Sequence, residues 1–144
     1  MIRECLIGKI NELSSSYSKF IVKKLNNEGL PILQNHIPLF YILPEDGSAL
    51  LFNEISNIWE ISKSSLSDII HKYESLGLIK KCTCFEDKRS IHISLTPKGL
   101  NIRQKLEKME NEFLDFLLSD FNRTERENFE DSINKSLKNI KEIL

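Results

Sequence analysis

Asp87-Lys88-Arg89-Ser90 lies between two short apolar stretches, residues 79–84 and 91–95, and its reading decides the fold. Strand-forming residues on either side of a charged, turn-forming tetrapeptide predict a β-hairpin with the charge at its tip. Upstream, Ser62 can cap a helix whose apolar positions Leu66, Ile69, Ile70, Tyr73 and Leu76 recur at helical spacing. Ile61 is placed to staple onto Leu66, and Gly77 to terminate the helix in the left-handed conformation. Downstream, Thr96 caps and Pro97 opens a long helix carrying Leu100, Leu106, Met109, Phe113, Phe116 and Leu117.

Working outward, Leu6, Ile10, Leu13, Tyr17 and Phe20 form the narrow seam of an amphipathic first helix, ended by Gly29 and Pro31. Asn35 is the expected cap of a second helix, with Pro38 in its first turn and residues 39–43 as its buried face. Pro44-Glu45-Asp46-Gly47 reads as a turn. A short helix over 53–60 presents Ile55, Ile58 and Trp59 to the core. Thr124-Glu125-Arg126-Glu127 reads as the capping box of a last helix, with Phe129, Ile133, Leu137, Ile140 and Leu144 along one side.

The order helix, helix, short helix, helix, hairpin, long helix, helix predicts a mainly α fold with a small β-hairpin wing. Residues 31–99 form a winged helix-turn-helix, flanked by helical regions at 1–30 and 100–144. The terminal helices carry more apolar surface than the small central domain can cover. Dimerisation through Leu6, Ile10, Leu13, Tyr17, Phe129, Ile133, Leu137 and Ile140 follows as an expectation.

Composition fits that picture. The 144 residues are 40% hydrophobic, enough for a core. No apolar run approaches the roughly 18 residues of a membrane span. No signal peptide is visible at Met1-Ile2-Arg3-Glu4, so no membrane partner and a cytoplasmic location are expected. Cys5, Cys82 and Cys84 are an odd count without a disulfide pattern, which fits reduced thiols.

The net charge of -1 conceals a segregation. Residues 63–105 hold nine Lys and Arg against four Asp and Glu, a balance of +5. Residues 1–61 hold five against seven (-2), and residues 106–144 six against ten (-4). Positive charge is gathered where double-stranded DNA would be read.

On the 62–76 helix, Lys63, Ser64, Ser67, Asp68, His71 and Lys72 face outward, with Ser65 near the exposed first turn. Short hydroxyls let a helix approach DNA closely and bond a base edge or a phosphate. Lys63 and Lys72 neutralise phosphates. At the hairpin tip, the planar guanidinium of Arg89 suits a narrow, electronegative minor groove. Lys88 is placed for a phosphate, and Asp87 to orient Arg89 or tie down the tip without touching DNA. Asp68 is discordant: it either accepts from a cytosine amino group or, as the favoured expectation, pairs with Lys72 at i, i+4.

From Gly77 to Gly99, the order Gly-Leu-Ile-Lys-Lys, Glu-Asp-Lys-Arg-Ser and Ser-Leu-Thr-Pro-Lys-Gly resembles, without a gap, the wing signature of the MarR family of bacterial transcription regulators. The family's D-x-R-S core falls on Asp87, Arg89 and Ser90, and its L-T-x-x-G closing motif on Leu95, Thr96 and Gly99. Residues 61–66 and 73–79 resemble the recognition helix and its exit. The detailed match covers about residues 51–99. It departs from the family at Asp68, at Ser56 and Trp59 in the short helix, and at Pro38. The resemblance implies a homodimer with intertwined terminal helices on a near-palindromic operator, its half-sites about one turn, roughly 10 bp, apart. It also implies a ligand-responsive repressor with a pocket between the dimerisation helices and the reading head.

Tyr17, Phe20, His36, Phe40 and Tyr41 are candidates to line a pocket for a small aromatic effector; the alternative is that they are core. Cys5 is a candidate redox sensor near the start of the first helix. Cys82-Thr83-Cys84 with His92 or His71 invites a metal reading. The expected pairing of Cys84 with Ile91 and Cys82 with Ile93, however, turns both thiols to the apolar side and His92 away. No metal or cofactor is therefore expected. No Gly-rich phosphate loop, nucleophile elbow or paired-carboxylate arrangement suggests an enzyme. A winged-helix protein-interaction adaptor is the rival reading.

Overall fold

The computed structural model describes residues 5–83 and 90–144. Their elements are α1 Leu6–Asn27, a 3₁₀ turn at Gln34–His36, α2 Ile37–Ile42, β1 Leu50–Leu51, α3 Phe52–Trp59, α4 Lys63–Ser75, β2 Ile79–Thr83, β3 Ile91–Leu95, α5 Pro97–Leu117 and α6 Arg123–Lys141. The fold is the expected one, mainly helical with a small antiparallel sheet. The chain packs as two units, residues up to Glu110 and Asn111–Leu144.

One core serves the first unit. Ile21 and Leu25 of α1 join Leu39 and Phe40 of α2, Ile55 of α3, and Leu66, Ile70 and Tyr73 of α4. Ile93 and Leu95 of the sheet and Ile102, Leu106 and Met109 of α5 complete it. Ile58, expected in this core, stands 59% exposed, because α3 turns Ile55 and Ser56 inward instead. Ser56 closes the α3–α4 turn: its hydroxyl donates to the Ile61 carbonyl at 2.8 Å, across a left-handed Glu60.

Two expected caps lie elsewhere. Asn35 sits inside the 3₁₀ turn, and α2 starts from His36 without a side-chain cap. On α6 the cap is Asn122: its side chain accepts from Glu125 N at 2.9 Å, and Glu125 returns the bond to Asn122 N at 3.2 Å. The same polar-x-x-Glu spacing occurs two residues earlier than the expected box, where it ends the turn before the apolar stripe begins.

The sheet has three strands in the order β1-β3-β2, so the predicted hairpin acquires a short third strand, Leu50–Leu51. The register pairs Ile79 with Leu95, Lys81 with Ile93, Cys82 with His92 and Thr83 with Ile91. The expected register is therefore wrong by one residue. It would have placed Lys80 opposite Leu95 on the buried face, whereas the actual one puts Ile79 there; a one-residue slip exchanges the faces. Cys82 consequently shares the outer face with His92 and is exposed.

The exit of α4 and the start of α5 are knotted together. Gly77 takes φ +74°, and the N–H groups of Gly77 and Leu78 donate back to Glu74 and Tyr73 carbonyls at 2.9 and 3.0 Å. The Thr96 hydroxyl accepts from Gly99 N at 3.1 Å and donates to the Gly77 carbonyl at 2.6 Å. Thr96 N donates to the Leu78 carbonyl at 3.1 Å, and Lys98 Nζ to that of Leu76 at 3.2 Å. A Cβ at Gly99 would run into the Leu78 carbonyl, so only glycine lets α5 start this close to the α4 exit.

A second tie holds α4 from its other side. Tyr73 is fully buried, and its hydroxyl accepts from Leu33 N at 3.2 Å and meets His36 Nδ1 at 2.8 Å. At this contact the hydroxyl either donates to Nδ1 of a neutral imidazole or accepts from an Nδ1–H, according to the tautomer. Burial, and secondarily the Lys72 charge, hold the His36 pKa below its usual 6.5. The folded state thus favours the neutral ring. This stabilisation is full above pH 6.5 and declines as the pH falls below it, where the unfolded chain takes up the proton more readily.

Two outcomes are expected from urea unfolding. Gly99→Ala lowers stability by about 1–3 kcal/mol, since backbone must shift to admit the methyl group; an unchanged midpoint would show that the approach of α5 to the α4 exit is not tight. The wild-type midpoint drops between about pH 7.5 and about pH 5.5 by more than that of His36→Gln, which lacks the titrating group. Equal drops in both proteins would rule out His36 as a source of acid sensitivity.

Candidate nucleic-acid interface

The helix α4 presents the candidate reading surface. Ser62, its N-cap, accepts from Ser65 N at 3.1 Å and donates to the Ser65 hydroxyl at 2.9 Å. The cap thus fixes the first turn and the rotamer of one of the candidate contacts. Lys63, Ser64, Ser65, Ser67, Asp68 and His71 are exposed, while Leu66, Ile70 and Tyr73 hold the opposite face in the core. Of the eight residues expected to contact DNA, six lie on this helix. The other two, Lys88 and Arg89, lie outside the described residues, as does Asp87.

The structure departs from expectation at Lys72. Its ammonium sits 5.4 Å from the centre of the Tyr73 ring and is half-buried; it makes no ion pair with Asp68. A cation over an aromatic face is attracted by the ring quadrupole, which accounts for the preference. Farther along, Glu74 pairs with Lys81 of β2 at 3.4 Å, linking α4 to the wing strand. At the other strand, Ser90 is half-buried immediately before β3.

Among the described residues, the five effector candidates have different surroundings. Phe40 is fully buried in the core, and Phe20 lies half-buried on α1 with Lys24 Nζ 5.7 Å from its ring centre. Tyr17 donates to Glu110 Oε1 at 2.8 Å, and the Tyr41 hydroxyl is buried. Burial first and the Glu110 carboxylate second push both phenols well above their usual pKa. His36 lines an open concavity of about 650 Å³ beside α4, with Trp59, Ile61, Ser65, Asp68 and Lys72.

Sequence reasoning missed Arg103. Its Nη1 donates to the Leu43 carbonyl at 2.9 Å, its Nε to Glu107 at 3.1 Å, and its Nη2 lies 3.6 Å from Glu45. Its guanidinium carbon is 5.5 Å from the Tyr41 ring centre. It therefore satisfies the open C-terminal carbonyl of α2 from α5. Only the Arg103–Glu107 spacing at i, i+4 was visible in advance.

Cys5 caps α1, its sulfur accepting from Gly8 N at 3.2 Å. Cys84 lies outside the described residues, and among the described ones no group of three or more His, Cys, Asp or Glu could hold a metal ion. No described helix is long and apolar enough to cross a membrane.

The candidate dimerisation residues divide between the two units. On α1, Leu6, Ile10 and Leu13 are 73%, 52% and 44% exposed, while Tyr17 is half-buried. On α6, Ile133, Leu137 and Ile140 are exposed, and Phe129 packs edge-on against Phe121 at 5.8 Å.

No family model and no curated sequence matches the chain. Solved structures do. A MarR transcriptional regulator from Methanosarcina mazei Go1 superimposes with a TM-score of 0.81 at 24% identity, covering 96% of this chain and 98% of that one. A MarR-family regulator from Silicibacter pomeroyi gives 0.75 at 21%, covering 97% and 92%. MepR of S. aureus in its complex with DNA gives 0.74 at 20%, covering 94% and 98%. Over nearly its whole length, the chain has the winged-helix fold of MarR-family structures.

Proposed function

We propose that this chain is a member of the MarR family and acts as a dimeric, sequence-specific DNA-binding transcription regulator in the cytoplasm, a repressor released by a small ligand. The observation that carries the reading is the outer face of α4. Lys63, Ser64, Ser67 and His71 stand exposed on a helix that is capped at its start, pinned by Tyr73, and followed directly by the wing strands. Small hydroxyls there leave the backbone free to approach base edges, and the +5 balance of residues 63–105 supplies the attraction to phosphate. Lys88 and Arg89 extend the reading to the wing tip as phosphate and minor-groove contacts, with Asp87 and Ser90 supporting the tip.

Dimerisation is supported by the apolar side chains that α1 and α6 leave in solvent. Exposed leucine and isoleucine rows of this kind mark contact surfaces. A regulator with two reading heads needs such a contact to set their spacing. The ligand has no assigned site: the open concavity beside α4 contains only one of the five side chains singled out for it.

Fluorescence anisotropy tests the reading, using the DNA flanking this protein's own gene beside a scrambled duplex of equal length. Binding is expected to favour the flanking DNA and to weaken steeply with salt, with a log–log slope near -0.9 for each phosphate neutralised. Weak, equal binding to both duplexes without a salt slope would instead support the protein-interaction adaptor.

A further inference from the structure

We propose that Asp68 determines base specificity, its carboxylate accepting a hydrogen bond from the exocyclic amino group of a cytosine in the major groove; this rests on the DNA-binding reading above. Asp68 is exposed on α4, one turn from Ser64 and three residues before His71, on the side opposite buried Leu66, Ile70 and Tyr73. The cation best spaced to neutralise it, Lys72, is drawn to the Tyr73 ring and makes no ion pair with it. Among the described residues, neither the hydrogen bonds nor the ion pairs of α4 engage the Asp68 side chain: Ser62 bonds Ser65, Ser75 bonds the His71 carbonyl, and Glu74 pairs with Lys81.

A carboxylate left without a cation on a groove-facing helix is repelled by every phosphate nearby. That repulsion is offset only where the carboxylate meets a donor. In the major groove, cytosine N4 is the donor that Asp pairs with best, while guanine O6 and thymine O4 present acceptors that it must avoid. Asp68 therefore acts in two directions. It selects a cytosine at one position of each half-site, and it weakens attachment to DNA of any other sequence. The serines and lysines around it contribute affinity with little base preference.

The test takes the tightest-binding duplex, substitutes each base pair in turn, and measures affinities for the wild type, Asp68→Ala and Asp68→Asn. Far-UV circular dichroism and a thermal melt accompany each variant; because Asp68 is exposed, both variants are expected to fold. The wild type is expected to prefer cytosine at one position per half-site by about tenfold or more. Asp68→Ala reduces that preference to about twofold and binds the scrambled duplex more tightly, since a repulsive charge is gone. Asp68→Asn moves the preference toward adenine, which an amide meets with one donor and one acceptor. Undiminished base preference in Asp68→Ala would overturn the assignment while leaving the DNA-binding reading intact. A wild type that binds every duplex equally and without salt dependence would overturn both.

Discussion

The structure depends on how closely α5 approaches the exit of α4. Thr96 caps α5 by accepting from Gly99 and, through the same hydroxyl, donates to the carbonyl of Gly77. Gly77 supplies the left-handed residue that ends α4, and Gly99 the missing Cβ that lets the Leu78 carbonyl come near. One junction thus joins the end of the candidate reading helix, the residues leading into β2 and the start of the long helix. The angle between α4 and the wing is set there by hydrogen bonds and steric fit, which are directional, and not by apolar contact alone, which is not. Tyr73, tied to Leu33 and His36, and Glu74, paired with Lys81, fix the rotation of α4 about its own axis. Both ties leave the opposite face to solvent.

The elements around this junction were legible because they rest on local chemistry. Ser62, Gly77, Thr96 and Pro97 each do at the backbone what their residue types favour, so the starts and stops of α4 and α5 followed directly from the sequence. The signals that failed were those decided by packing. Asn35 is a good capping residue overridden by a 3₁₀ turn that brings His36 to Tyr73. Ile58 follows the apolar period of its helix, yet α3 is rotated so that Ser56 can reach the Ile61 carbonyl. The hairpin register depended on whether a lysine or an isoleucine faced Leu95, a question about burial that alternation in the strand alone left open. The two-residue strand β1 is too short to carry a pattern of its own.

The candidate site was legible in its residues more than in its electrostatics. Periodicity placed the α4 serines and His71 on the outer face because the inner positions are plainly apolar. The fate of Lys72 was not visible, since a lysine at i+4 from an aspartate predicts an ion pair, and only the neighbouring Tyr73 ring, held in place by tertiary contacts, offers a competing partner. The same holds for Arg103, whose partners Leu43 and Glu45 are distant in sequence. Charge segregation survives as a structural theme. The basic stretch coincides with the candidate reading helix and the wing segment, whereas the acidic segments contain the helices whose apolar rows are left in solvent.

The central claim is that two copies of this chain hold two reading helices at a fixed separation on one face of DNA. Hydroxyl-radical footprinting of the preferred duplex measures that separation most directly. The account predicts two protected patches related by a dyad, with centres about one helical turn, roughly 10 bp, apart or a whole multiple of it. A single patch, or uniform protection along the duplex, would contradict it.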